Sequence, residues 1–271
     1  MSTSEEQPPG SPPRHPSAGN LSARPTAVSP TAPPESLPLA SYPVCASIEA
    51  GGLELGPGLD HEMGARLLGN VDGKRVLDLG CGSGQASIAM ARLGAKVIAV
   101  DTSVERLGEA RASAEEAGVT IEFHHGDLAE LAFIRGDGID VAVSVYSLAA
   151  VADLGRVFRQ VERVLRSEAA LLFSLPHPLA LSTEFGRQPS PVMVRTQFDA
   201  TPINWAADDL EGTVLPHRIT DVFTTLVRSN FRVDTLLEPP SIEPPEPIPH
   251  WTPLAEWLPT TVVFRGRKQA S

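Results

Sequence analysis

Cysteine is nearly absent from this chain. Cys45 and Cys81 are its two thiols in 271 residues, which supports neither a disulfide framework nor a metal-ligand set and suits a reducing cytoplasm. No uninterrupted apolar run is long enough to cross a bilayer, which excludes a membrane span. The opening Met1-Ser-Thr-Ser-Glu-Glu6 is acidic and has no apolar core, so it does not read as a secretory signal. Positive charge is scarce as well. Against 33 Asp and Glu stand 22 Lys and Arg, for a net charge of -11. Neutralising nucleic-acid phosphates needs clustered cations, so the balance argues against a nucleic-acid partner.

Proline, serine, alanine, threonine and glycine dominate residues 1–43. Such a stretch cannot bury enough apolar surface to offset its ordering entropy and reads as a disordered leader. Residues 44–271 then form the folded domain. Within it, Leu59 to Leu68 has apolar residues at helical spacing, with His61 either facing a ligand or lying on the surface.

The centre of the chain is Arg75-Val-Leu-Asp78-Leu-Gly80-Cys81-Gly82-Ser83-Gly84. Val76, Leu77 and Leu79 predict a strand buried on both faces. Three glycines at alternating positions follow, then a helix from Gln85 to Leu93 with Gly94 as its stop. Gly80, Gly82 and Gly84 let the backbone approach a ligand closely. In a dinucleotide fingerprint the third glycine stands one position later, where this chain has Gln85. Asp78 inside the strand would repel a pyrophosphate but suits an ammonium group. The D-x-G-x-G-x-G pattern resembles the first motif of class I S-adenosylmethionine-dependent methyltransferases, whose loop holds the amino-acid end of the cofactor.

The alternation of strand and helix continues. Lys96 to Val100 predicts a second strand ending at Asp101, where a carboxylate can accept both ribose hydroxyls of an adenosine. Thr102 and Glu105 read as a capping box for a helix from Ser103 to Ala117. Thr120 to His124 is a third strand before Gly126-Asp127-Leu128. In the methyltransferases this resembles, that aspartate lies near the adenine amine and the following residue lies against the ring. Asp127 can equally cap the next turn. Ile139 to Val145 is a fourth strand carrying Ser144, followed by Tyr146 and a helix from Leu154 to Leu165; Ala169 to Leu175 is a fifth, ending at Pro176-His177-Pro178.

This order predicts an α/β fold, a doubly wound seven-stranded mostly parallel sheet with a C-terminal antiparallel hairpin. The hairpin comes from Phe231 to Leu237 and Thr260 to Arg265 and is typical of the resembled class. Ligands of such sheets bind at the carboxyl ends of the strands. The resemblance assigns the cofactor to Asp78, Gly80, Cys81, Gly82, Gly84, Asp101, Thr102, Asp127, Leu128 and Ser144. It covers about Leu53 to Lys268. The Pro-His-Pro turn, the His217-Arg218 pair and the C-terminal strand look like a bacterial subgroup of small-molecule methyltransferases.

Residues 179–216 show little periodicity, with an exposed-looking Trp205, and read as a lid or substrate wall. A helix from His217 to Ser229 follows, with an apolar stripe at Val222, Phe223, Leu226 and Val227. The expected chemistry is methyl transfer to oxygen, nitrogen or carbon of a small molecule. A base is needed only for a protonated nucleophile. His177, His217 and Tyr146 are the catalytic candidates, and Arg218 can pair with a substrate carboxylate. Each also has a structural reading: His177 shapes its turn, His217 caps a helix, and Arg218 is a solvated charge. With no metal-ligand cluster, a metal-dependent reaction is not expected. No Asn/Asp-Pro-Pro-aromatic motif follows the fourth strand, which again weakens a nucleic-acid target. Many relatives carry a histidine near Ala149 or Ala150, absent here, so a cofactor-fold binding module without activity stays open. So does a nicotinamide-dependent dehydrogenase.

Overall fold

The computed structural model describes residues 52–57, 59–185, 190–207, 210–240 and 253–270. The expected leader, Cys45 and most of the second proline-rich loop lie outside them. The elements in chain order are α1 (His61–Leu68), β1 (Arg75–Leu79), α2 (Gln85–Arg92), β2 (Lys96–Asp101), α3 (Val104–Glu116), β3 (Glu122–His125), β4 (Ile139–Val145), α4 (Leu154–Val164) and β5 (Leu165–Pro176). After them come β6 (Thr183–Phe185), β7 (Pro191–Met193), β8 (Ile203–Ala207), β9 (Leu210–Val214), α5 (Ile219–Arg228), β10 (Phe231–Leu237) and β11 (Thr261–Lys268).

Seven strands form one sheet in the order β10-β11-β5-β4-β1-β2-β3. The pairs β1–β2, β1–β4, β2–β3 and β4–β5 are parallel, while β11 runs antiparallel to both β5 and β10. The pleat sends alternate residues to opposite faces. Leu77, Leu79, Ile98 and Val100 pack with Val157, Phe158 and Val161 of α4 and Leu226 of α5. Val76, Val97 and Ala99 pack instead with Leu68 of α1, Met90 of α2 and Leu107 of α3. The continuous apolar runs of the central strands follow from burial on both faces. The sheet architecture expected from the sequence is the one observed.

Several local expectations are corrected. Ser103, not Thr102, caps α3: its side chain accepts from the Arg106 N–H, because the Thr102 position is spent on leaving β2. Strand β3 starts at Glu122 rather than Thr120. Strand β5 begins at Leu165, earlier than the apolar run, because Glu168 takes a left-handed φ of 60° at an irregular pairing between Ile139 and Val141. Helix α5 starts at Ile219, and of its predicted stripe Val222 and Leu226 are buried whereas Phe223 and Val227 are exposed. The segment 179–216 is not structureless. It holds two hairpins, β6–β7 and β8–β9. Among the described residues no helix is long and apolar enough to cross a membrane.

Candidate functional site

The turn after β1 is fixed by backbone contacts. The Gly80 and Cys81 N–H groups both donate to the Val100 carbonyl, at 2.7 and 3.1 Å. Gly80 has φ of 73°, and a Cβ there would fall 2.2 Å from the Ser147 Cβ, so the turn after β4 closes directly upon it. The Ser147 hydroxyl completes that closure by donating to the Gly80 carbonyl at 2.5 Å. Asp101, at the end of β2 and buried, ties the two neighbouring turns together. Its carboxylate accepts from the Gly82 N–H at 2.8 Å and from the Ser103 N–H at 2.9 Å.

Beneath the turn lies Asp78. It is fully buried and accepts from the Ser87 hydroxyl at 2.5 Å. Desolvation by burial pushes its carboxyl up to about 7, only partly offset by that hydrogen bond. Burial likewise pushes the Cys81 thiol up. Asp127 accepts from the Ala129 N–H at 2.8 Å, which holds its turn open beside the buried Leu128. Tyr146 leaves β4 with φ of 59°, and its hydroxyl shares a 2.6 Å hydrogen bond with the Thr261 hydroxyl. Burial pushes that phenol up too.

These turns form one wall of a cavity of about 490 Å³ at the carboxyl ends of β1, β2 and β4. Of the candidate cofactor and catalytic residues, Gly80, Asp101, Thr102, Asp127, Leu128 and Tyr146 line it. The facing wall comes from the β8–β9 hairpin, through Trp205, Gly212, Thr213 and Val214. Trp205 pairs with Gly212 across the hairpin, and a Cβ at Gly212 would meet the indole at 2.5 Å. The ring therefore lies flat over the glycine, half-buried against the core rather than exposed as expected. The floor between the walls is the turn from Ser147 through Asp153. The Leu215 N–H donates to the Ala149 carbonyl at 2.8 Å, fastening hairpin to floor.

The other candidates stand apart from the cavity. Cys81, Gly82 and Gly84 frame the turn without lining it, and Asp78 is sealed below. Ser144 is fully buried and donates to the Leu79 carbonyl at 2.7 Å, bridging β4 to β1. His177 is buried, its Nδ1 accepting from the Leu179 N–H at 3.1 Å and its Nε2 lying 2.9 Å from a Glu238 carboxylate oxygen. With Nδ1 an acceptor, the proton sits on Nε2 and is donated to Glu238. Through these two contacts the ring pins the exit of β5 to the exit of β10. His217 lies behind the floor, with its pKa lowered by burial against the opposing pull of the Val151 and Leu148 carbonyls. Arg218 donates through Nε and Nη2 to the Asp221 carboxylate at 2.7 and 2.9 Å and stacks 5.9 Å from the Phe198 ring centroid. The same pair anchors the start of α5.

Sequence reasoning missed Arg106, Ser147, Asp153, Arg156 and Glu211, all on the cavity lining. Trp205 paired with a glycine was the one available signal for the hairpin.

The description "methyltransferase domain" fits the family model that matches residues 70–210. The chain is 38% identical over 102 residues to the ubiquinone biosynthesis O-methyltransferase of Hahella chejuensis, a match covering 38% of this chain and 43% of that protein. The enzyme of the same name from Azorhizobium caulinodans is 34% identical over 110 residues, or 41% of this chain and 43% of its own. The chain thus spans less than half the length of these curated relatives. An S-adenosylmethionine-dependent methyltransferase structure from Mesorhizobium loti superposes with a TM-score of 0.61 at 20% identity, over 83% of this chain and 99% of that one. At that identity the likeness speaks for the fold.

Proposed function

The chain belongs to the methyltransferase-domain family, and on that premise we propose that it transfers a methyl group from S-adenosylmethionine to an oxygen of a small molecule. The observation that carries the proposal is the two-walled cavity, with the β1, β2 and β4 turns on one side and the Trp205 hairpin on the other. Its size suits small-molecule sites. The O-methyltransferase relatives support oxygen as the acceptor atom.

The residues present fit the cofactor. Asp101 spends one lone pair of each oxygen on backbone N–H groups, leaving the remainder for two ligand hydroxyls. Asp127 can accept from an exocyclic amine while Leu128 supplies an apolar face. Gly82 has open space where a side chain would stand, so a ligand can lie against its backbone. When bound, S-adenosylmethionine supplies an already activated methyl group. The chain's own task is then positioning, which lowers the barrier by holding the reactants in line. Trp205, Val214 and the Ala149–Ala152 floor hold the acceptor. Asp153 and Glu211 are the carboxylates at that end that can receive its proton. Residues 44–271 act as one catalytic unit, with 179–216 as its acceptor-side insertion, in the cytoplasm.

The test is calorimetric titration of the intact chain with S-adenosylhomocysteine, with NAD as control, followed by mass spectrometry of a panel of hydroxylated acceptors. Heat with the homocysteine compound alone and a 14-Da gain on an acceptor, roughly one added CH₂, is the expected result. Binding of NAD alone would overturn it.

A further inference from the structure

A second cleft, of about 500 Å³, opens at the other end of the sheet, among the end of α1, the start of β4, the first half of β5 and the end of β11. We propose that it binds a phosphate-bearing small molecule.

Five cationic side chains line the cleft, Arg66, Lys74, Arg166, Arg265 and Arg267, against two carboxylates, Asp140 and Glu168. Glu62, 3.7 Å from Arg66, and Asp234, between Arg265 and Arg267, offset part of that excess, yet a net positive balance remains in a chain of net charge -11, and such focusing draws anions. The cations come from four separate segments, so no single amphipathic stretch accounts for them. Two of them are held in place. The Nε groups of Arg265 and Arg267 donate to the two oxygens of Asp234 at 2.7 and 2.6 Å. Their Nη1 groups donate to the Leu67 and Glu168 carbonyls at 3.1 and 3.2 Å. Each guanidinium keeps further N–H donors unspent, and a fixed fork of such donors matches phosphate geometry. Arg166 pairs with Asp140. The Lys74 backbone is bonded to Val71 and Lys96, but its ammonium makes no hydrogen bond or ion pair among the described residues and can turn to a ligand.

The backbone accounts for the opening. The β4–β5 pairing is irregular between Ile139 and Val141, and Glu168 sits at φ 60°. A non-glycine residue in that region is strained. The irregularity turns Arg166, Ser167 and Glu168 outward, all three exposed. The cleft is far larger than an inorganic phosphate, which leaves space for an organic portion beside it.

The experiment titrates the intact chain with inorganic pyrophosphate by calorimetry, ionic strength held constant with sodium chloride. A saturable one-site isotherm is expected. Lys74→Gln should weaken it about tenfold, the worth of one charge-assisted hydrogen bond. Arg92→Gln, at the exposed end of α2 and away from the cleft, should leave it unchanged. S-adenosylhomocysteine affinity should be the same in all three proteins, which separates this site from the first cavity. Parallel arms use phosphatidylglycerol vesicles and a single-stranded oligonucleotide. No saturation, an equal loss in both variants, or tighter binding to vesicles or oligonucleotide than to pyrophosphate would each overturn the proposal.

Discussion

Along the wall proposed to hold the cofactor, every turn is bonded to its neighbour: Gly80 and Cys81 to Val100, Gly82 and Ser103 to Asp101, Ser147 to Gly80. Along the wall proposed to hold the acceptor, a two-stranded hairpin stands outside the main sheet, held by the Trp205 ring on the core and by the Leu215–Ala149 hydrogen bond. The first wall is an outgrowth of the sheet and cannot move without it. The second is an attachment, and attachments of this kind vary freely on a shared fold. Binding of the cofactor and choice of acceptor should therefore respond to different substitutions.

The largest break in that comparison comes from Gly80→Val. The new side chain would strike Ser147, and φ of 73° adds strain. Affinity for S-adenosylhomocysteine should fall by more than about 100-fold, read by calorimetry, while circular dichroism retains the sheet.

The next effect lies under the same wall and concerns pH. Asp78 titrates near 7 in the folded chain against 3.8 as its ordinary value. Between those values the folded state holds the extra proton, so its stabilising effect is complete below about pH 4 and is lost as pH rises through 7. Asp78→Asn should remove this loss, on the order of a few kcal/mol. Melting temperatures of variant and parent across pH 4 to 8 would show it, and parallel curves would refute the assignment.

A smaller change should touch the acceptor wall alone. Trp205→Ala removes the half-buried ring that faces the cavity. We expect KM for the acceptor to rise about tenfold, near 1.4 kcal/mol, with S-adenosylhomocysteine affinity unchanged. Equal damage to both would erase the distinction between the walls.

Tyr146→Phe should matter least. It deletes the hydrogen bond to Thr261 at a cost of about 1 kcal/mol, seen in denaturant unfolding. Turnover persisting in this variant would remove Tyr146 from the catalytic candidates, leaving it a strut between β4 and β11.

The same contrast explains what the sequence made legible. Strands β1, β2 and β4 read as largely apolar runs, broken only by Asp78, Asp140 and Ser144, because both faces are covered, and each is bounded by a glycine or an acid. The order of the sheet followed from them. Asp101 and Asp127 could be placed because a strand end fixes where its next residue must stand. The short strands β6 to β9 carry no such signal. In β7 Val192 and Met193 are exposed, and in β8 and β9 burial alternates, with Trp205 and Val214 covered beside exposed neighbours, over strands too short for the pattern to stand out. The contact of His177 was hidden for another reason: its partner Glu238 is 61 residues away, and no local pattern announces that pairing. Ser144 looked like a polar group at a strand end, whereas the Leu79 carbonyl that absorbs it belongs to a different strand.

The bond from the Leu215 N–H to the Ala149 carbonyl bears on how this protein can be re-engineered. It makes the hairpin and the 147–153 turn a matched pair, although some sixty residues of chain separate them. A chimera cut only at the hairpin's own ends would seat foreign strands on a floor shaped for others. Exchange of acceptor preference between relatives should therefore succeed when both segments travel together, and fail when either is moved alone.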